Sequence, residues 1–160
     1  SGRRTSTVLM ASWGAGWGLV ANLLVAQLPA DADSLRAAAR EFGVPPLVLM
    51  AVAVVESGTR GGNHWRGAGR ADGSCKEIGR MQLSPCENWA WLTPWCELAR
   101  VRESYSANIR CGAARLAYHR LQLGSWVRAV ERYNGRGPKA RRYREKVASV
   151  LGALTLESEP

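Results

Sequence analysis

"VLMAVAVVESGTRGG", residues 48–62, is the stretch on which the reading of this chain turns. Val48, Leu49, Met50, Ala51, Val52, Ala53, Val54 and Val55 are apolar without a break, and the run ends in a carboxylate, Glu56, followed by turn-forming glycines. A segment that is apolar on every side suits either a buried strand or a helix buried all round. Residues 47–55 are long for a strand, which usually has about five or six residues. Pro45 and Pro46 stand in front, where a proline suits the first helical turn, and Gly58 stands behind as a stop signal. The stretch is therefore read as a central helix. A carboxylate at its end is poorly hydrated and lies near the carbonyl end of the helix, and both effects disfavour ionisation. A carboxylic acid still protonated near neutral pH can protonate the leaving oxygen of a glycosidic bond. The other reading open at this point is that Glu56 marks the solvent end of the helix and pairs with Arg60.

The segments around the run also punctuate as helices. Asp33 or Ser34 can cap a helix through Leu35, Ala38, Ala39 and Phe42, with Gly43 ending it at the C′ position. Residues 58–78 are rich in glycine and polar groups and read as a long loop. Ser84-Pro85-Cys86-Glu87 has the form of a capping box with proline at the first helical position, which predicts a short helix through Trp89 and Trp91, stopped by Pro94. Further helices are expected over 104–123, 125–133 and 139–151. No segment alternates as a strand, so the expected fold class is mainly α.

At 160 residues one domain is expected. With 46% hydrophobic and 22% charged residues, a disordered chain is excluded. A net charge of +9 and a pI near 10.1 favour polyanionic partners: nucleic acid, acidic lipid or the anionic polymers of bacterial envelopes. Nucleic acid is not the expected partner, because the basic residues are scattered and their densest cluster, Lys139, Arg141, Arg142, Arg144 and Lys146, reads as the solvated face of a helix. Arg3 and Arg4 precede an apolar segment from Thr5 to Pro29, and Ala30-Asp31-Ala32 has the small-x-small form of a signal-peptidase site. Residues 1–32 are accordingly read as a signal peptide or membrane anchor, with the folded domain over 33–155. Cleavage after Ala32 would lower the net charge by only one. Cys75, Cys86, Cys96 and Cys111 lack the paired C-x-x-C spacing of a zinc site and suit disulfides, in any of three pairings. His64 and His119 have no matching ligands at metal spacing, so no metal site is expected.

Four motifs then bear on function: "ES" at 56–57, "GRMQLSP" at 79–85, "NIRCGAARL" at 108–116 and "AVERYNGRG" at 129–137. In that order they resemble the catalytic domain of the soluble lytic transglycosylases, relatives of goose-type lysozyme, over roughly residues 34–150. The resemblance implies a lysozyme-like helical domain in which Glu56 is the single catalytic acid and base and the 58–78 loop covers the site. It implies that Gly79, Met81 and Gln82 line the substrate groove. It also implies that Tyr133 supplies a hydroxyl near the acid with Asn134 beside it, that Ser57 positions a substrate group, and that Asn108 is structural. Arg80 departs from the small or apolar residue common in that motif and could contact a carboxylate or peptide stem. Of Trp65, Trp89, Trp91, Trp95 and Trp126, one or two are expected to touch glycan. For the disulfides, the pairing adopted is Cys75 with Cys86 and Cys96 with Cys111, whose first bridge brackets residues 79–82.

The activity so implied is cleavage of the bond between N-acetylmuramic acid and N-acetylglucosamine in peptidoglycan strands, leaving 1,6-anhydro ends and requiring no cofactor. A monomer in the periplasm or outside the cell is expected, in wall turnover or in a secretion, conjugation or phage machine. Two other readings compete. One is a hydrolytic muramidase that uses Asp72 or Glu77 to activate water; the other is a wall-binding protein without turnover.

Overall fold

The computed structural model describes residues 28–158 apart from His64, Trp65 and Ala68. The expected targeting segment lies outside the described residues up to Gln27, as do the expectations placed on His64 and Trp65. Among the described residues six α-helices follow one another: α1 (Ala32–Phe42), α2 (Pro46–Ser57), α3 (Leu98–Glu103), α4 (Tyr105–Leu123), α5 (Trp126–Tyr133) and α6 (Pro138–Ser158), with a 3₁₀ turn at Pro94–Cys96. The chain is mainly helical, and the described residues contain no strand, only isolated bridges at Arg66–Ile78 and Ile78–Leu83.

The apolar run forms α2 as its flanks predict, with Pro46 opening the helix and Gly58 closing it. None of its residues is exposed, and Leu49, Met50, Ala51, Val52 and Ala53 are fully buried. The helix is covered by α1 on one side and α6 on another, while α4 packs on α1, α3 and α5. Burying an aliphatic side chain of this size contributes about 1.5–3 kcal/mol, so the uniform apolarity of α2 is what puts it at the centre. Gly43 ends α1 in the left-handed conformation, as expected. The start of α1 differs from expectation: Asp31 is the residue before the helix, and its carboxylate makes no cap bond because it is used elsewhere, on Arg80. Ala30 N–H donates to the Thr59 carbonyl and Ala32 is buried in the core, so the Ala30-Asp31-Ala32 triplet is packed into the helical domain.

The capping box at Ser84 does not produce a helix. Residues 84–92 are a series of turns, and the first helical hydrogen bonds come only at Pro94, where Thr93 is the cap. Two constraints oppose the helix. Cys86 is bonded to Cys75, and the Glu87 carboxylate, which a capping box would turn back to Ser84, instead accepts from Trp89 Nε1 at 2.7 Å and from Arg115 at 2.8 Å. Helix α3 lies where no helix was expected, and α6 runs well beyond the expected end at 151. Both disulfides pair as expected, Cys75–Cys86 and Cys96–Cys111. They tie the loop region 58–93 to itself and the 3₁₀ turn to α4.

Candidate active site

Glu56 sits in the last turn of α2, partly buried, with its Oε1 accepting a 2.6 Å hydrogen bond from the Tyr143 hydroxyl. Burial pushes its pKa up to about 7, and the charge of Glu77 adds to that rise; the Tyr143 hydroxyl and the Arg115 guanidinium pull the other way. Water would have stabilised the carboxylate, and the helix end puts little in its place. The expectation that a carboxylate in this position holds its proton near neutral pH therefore has a structural basis in burial.

Tyr143 is a residue the sequence analysis missed. It lies inside the basic run read as a solvated helix face, and most of that face is solvated: Lys139, Arg141, Arg142 and Lys146 are exposed. The available signal was the spacing of Ala140, Tyr143, Val147 and Leu154, a buried stripe at helical period running beneath the charges. Burial and the neighbouring Glu56 raise the Tyr143 phenol well above its ordinary value, so it stays a donor.

The expected hydroxyl, that of Tyr133, has its pKa raised by burial and by the charge of Glu56, but its hydrogen bond goes elsewhere. Tyr133 is buried and donates to the Met81 carbonyl at 2.8 Å. Its ring and that of Trp89 face the Arg115 guanidinium, at 4.8 and 4.6 Å to the ring centres. Asn134 is exposed at the C-terminal end of α5.

The "GRMQ" residues form a tight turn between Ile78 and Leu83, whose N–H groups donate to each other's carbonyls at 3.0 Å. This turn is keyed into two asparagines. Asn108 accepts from Met81 N–H at 2.8 Å and donates to the Ile78 and Val101 carbonyls; Asn63 accepts from Arg80 N–H and donates to the Val101 carbonyl. Asn108 is thus structural, as the sequence analysis has it. Gly79 has φ +75°, and a Cβ there would collide with the Asn63 and Asn108 side chains. The closeness it permits is to these asparagines, where sequence reasoning expected a sugar. Met81 is fully buried, its side chain against Gly112, so it contributes packing and not a groove wall. Gln82 is partly exposed; its amide donates to the Gly79 carbonyl at 2.8 Å, and its side-chain oxygen lies beside Gly67 together with the Glu77 carboxylate.

Two further expectations change. Ser57 is buried, and its hydroxyl donates to the Arg80 carbonyl at 2.7 Å and accepts from the Arg80 guanidinium at 2.7 Å, so it faces the protein interior. Arg80, read as a contact to substrate, is itself 0% exposed. Of the indoles, Trp126 and Trp89 pack against the core and Trp95 lies under Arg110, while Trp91 is 63% exposed beside Trp89 and Tyr118. Asp72 is exposed and accepts from Ser74 N–H and hydroxyl, bonds that hold its pKa below the ordinary value. Glu77 accepts from Gly69 N–H at 2.8 Å. His119 is buried against Trp89 and Tyr118, and burial together with the Arg115 charge depresses its pKa to about 4, so it is neutral. Among the described residues no group of three His, Cys, Asp or Glu side chains could hold a metal ion.

The arrangement places one proton donor, poised near neutral pH, against a buried phenol and within the field of the Arg115 charge, next to a loop that carries a second carboxylate. No family model, curated protein or solved structure matches the chain.

Proposed function

We propose that this protein is a peptidoglycan lytic transglycosylase with a lysozyme-like helical domain, acting in the periplasm or outside the cell. The observation that carries the reading is Glu56: a half-buried acid at the end of the central helix, bonded to Tyr143 and protonated up to about pH 7. The ordered motifs that resemble the transglycosylases support it from the sequence side, and the two disulfides suit an oxidising compartment.

Glu56 gives its proton to the oxygen leaving the muramic acid C1, and that C1–O bond breaks while the substrate's own N-acetyl oxygen closes on C1. The Glu56 carboxylate, now held by Tyr143 and stabilised by the Arg115 charge, takes the proton of the C6 hydroxyl. That oxygen displaces the N-acetyl group from C1 and leaves a 1,6-anhydro ring. No water is consumed, and the acid ends in its starting state. Because the C6 hydroxyl belongs to the same ring, it has the advantage of an intramolecular nucleophile over water.

Glu77 favours a second reading. Its charge is felt by Glu56, whereas Asp72 is occupied with its own turn, so a hydrolytic muramidase on this site would use Glu77 as the base for water. Mass spectrometry of muropeptides from a complete digest decides between the two. Ends lighter by one water are expected, with Glu77→Gln still active. Reducing muramic ends together with an inactive Glu77→Gln would replace transglycosylation by hydrolysis, and intact walls would sink both.

A further inference from the structure

Arg80 lies in the turn between Ile78 and Leu83, far from solvent, and every part of its guanidinium has a partner. Nε donates to Asp31 Oδ2 at 2.8 Å and one terminal nitrogen to Asp31 Oδ1 at 3.1 Å, a two-pronged ion pair in which the Asp31 side chain is only 9% exposed. The other terminal nitrogen donates to the Ala53 carbonyl at 2.9 Å, to Ser57 Oγ at 2.7 Å and to the Gly58 carbonyl. Asp31 also accepts from the Tyr105 hydroxyl at the start of α4.

Of the two carbonyls involved, that of Gly58 lies just past the end of α2, where carbonyls lack intrahelical amide partners, and that of Ala53 lies about one turn before it. Ala53 is one turn before Glu56, and Ser57 and Gly58 directly follow it. A guanidinium anchored from behind by a carboxylate therefore grips the backbone on both sides of the acid. It also joins that backbone to the turn that carries Gln82, with the Ser57 hydroxyl returning a bond to the Arg80 carbonyl. An arginine suits this because its planar fork reaches a carboxylate and several carbonyls at once, which a lysine ammonium cannot.

We infer that Asp31 and Arg80 are positioning residues for the reaction: a buried ionic clamp that fixes the last turn of α2 and so aims Glu56 at the substrate and at Tyr143. The inference rests on the reading of Glu56 as the catalytic acid. It also makes Asp31 part of the working domain, so proteolytic processing that preserves activity must fall upstream of it.

The test separates positioning from mere stability. Removing one partner alone strands a buried charge and can unfold the chain, but replacing a buried ion pair by well-packed apolar residues is often neutral or stabilising. The Asp31→Leu/Arg80→Met double variant of the full chain is therefore compared with wild type, with Arg80→Lys and with Glu56→Gln. The double variant is expected to keep its thermal midpoint and its KM within about threefold. Its kcat should drop roughly 10- to 100-fold, the scale on which small misplacement of catalytic groups is felt. Arg80→Lys, which restores the charge but not the fork, is expected to recover only part of the rate. The Glu56 carboxyl, followed by ¹³C NMR through a pH titration, is expected to move by about half a unit or more in the double variant. A folded double variant with wild-type kcat and an unmoved Glu56 titration overturns the clamp. If Glu56→Gln is also fully active, it is the assignment of the acid that fails instead.

Discussion

Two ionisable side chains, Arg80 fully buried and Glu56 partly so, lie at the same end of α2, and the protein treats them in opposite ways. Arg80 meets a two-pronged carboxylate, two carbonyls and a hydroxyl, which compensate its charge in the interior. Glu56, one residue before the serine that Arg80 holds, accepts one hydrogen bond from Tyr143. Burial without full compensation shows up as a pKa near 7. A buried charge that is fully partnered is a fixture; one that is under-partnered is poised to exchange a proton. The difference lies in the number of partners supplied, since both groups leave water at nearly the same place in the fold.

The largest effect that would break this comparison is on turnover. Glu56→Gln keeps the shape and can still accept from Tyr143, yet has no proton to give. The expected loss is about 10²- to 10⁴-fold in the release of soluble muropeptides from purified walls, with binding to the walls retained. Wall digestion near the wild-type rate would remove Glu56 from the chemistry altogether. Next in size is Asp31→Asn, which leaves the Arg80 charge buried without a counter-ion. Breaking such a pair is expected to cost about 3–5 kcal/mol, read as a drop in the urea midpoint. A loss under about 1 kcal/mol would mean that the carbonyls alone satisfy Arg80.

How much of this was legible in the sequence follows from the same physics. Helices α1 and α2 were readable because their signals are local, Gly43 in the left-handed conformation and Pro46 in the first turn; α4 and α5, expected over 104–123 and 125–133, begin after Ser104 and Ser125, which accept from the amide three residues on. The 84–92 segment misled because its local signal was a capping box. Glu87 was drawn to Arg115, distant in sequence, and Cys86 to Cys75, and tertiary bonds outbid a cap worth about 1 kcal/mol. Glu56 was legible as a raised acid since its apolar run lies beside it in the chain. Asp31, Arg80 and Tyr143 were not, because each draws its meaning from a partner dozens of residues away: 49 separate Asp31 from Arg80, and 87 separate Tyr143 from Glu56. The motif residues Gly79 and Met81 were found but given another task, whereas Asn108 was read as structural; together they build the turn that presents Gln82 and anchors Arg80.

A third expectation sharpens the contrast through pH. Glu56 binds its proton more tightly in the folded protein than in the unfolded chain. Its favourable contribution is complete below the ordinary carboxylate value of 4.5 and is lost as the pH rises from there through about 7. The loss amounts to about 3 kcal/mol at most, on the scale of 1.36 kcal/mol per pKa unit. Glu56→Gln has nothing to ionise, so between pH 4.5 and pH 8 its stability should rise relative to wild type by that amount. Denaturant midpoints at four or five pH values measure it, and a difference that stays constant with pH would show that Glu56 is not held protonated. Activity should decline on the alkaline side with a midpoint near 7, since the donor is the protonated form.

The smallest effect isolates the hydrogen bond that Glu56 accepts from Tyr143. The Tyr143 hydroxyl donates to Oε1, a bond stronger to the ionised carboxylate than to the neutral acid, so it holds the pKa below where burial alone would set it. Tyr143→Phe removes that bond and little volume. The Glu56 titration and the alkaline limb of activity should then move to higher pH by about one unit or slightly more, since a hydrogen bond to a charged group is worth roughly 1.5–3 kcal/mol. Tyr133→Phe is the control, because that hydroxyl serves the Met81 carbonyl. It should lower stability and leave the limb in place. If the limb moves with Tyr133 and not with Tyr143, the hydroxyl expected from the motif is the one that tunes the acid, and the under-partnered state of Glu56 has another cause than the one argued from this structure.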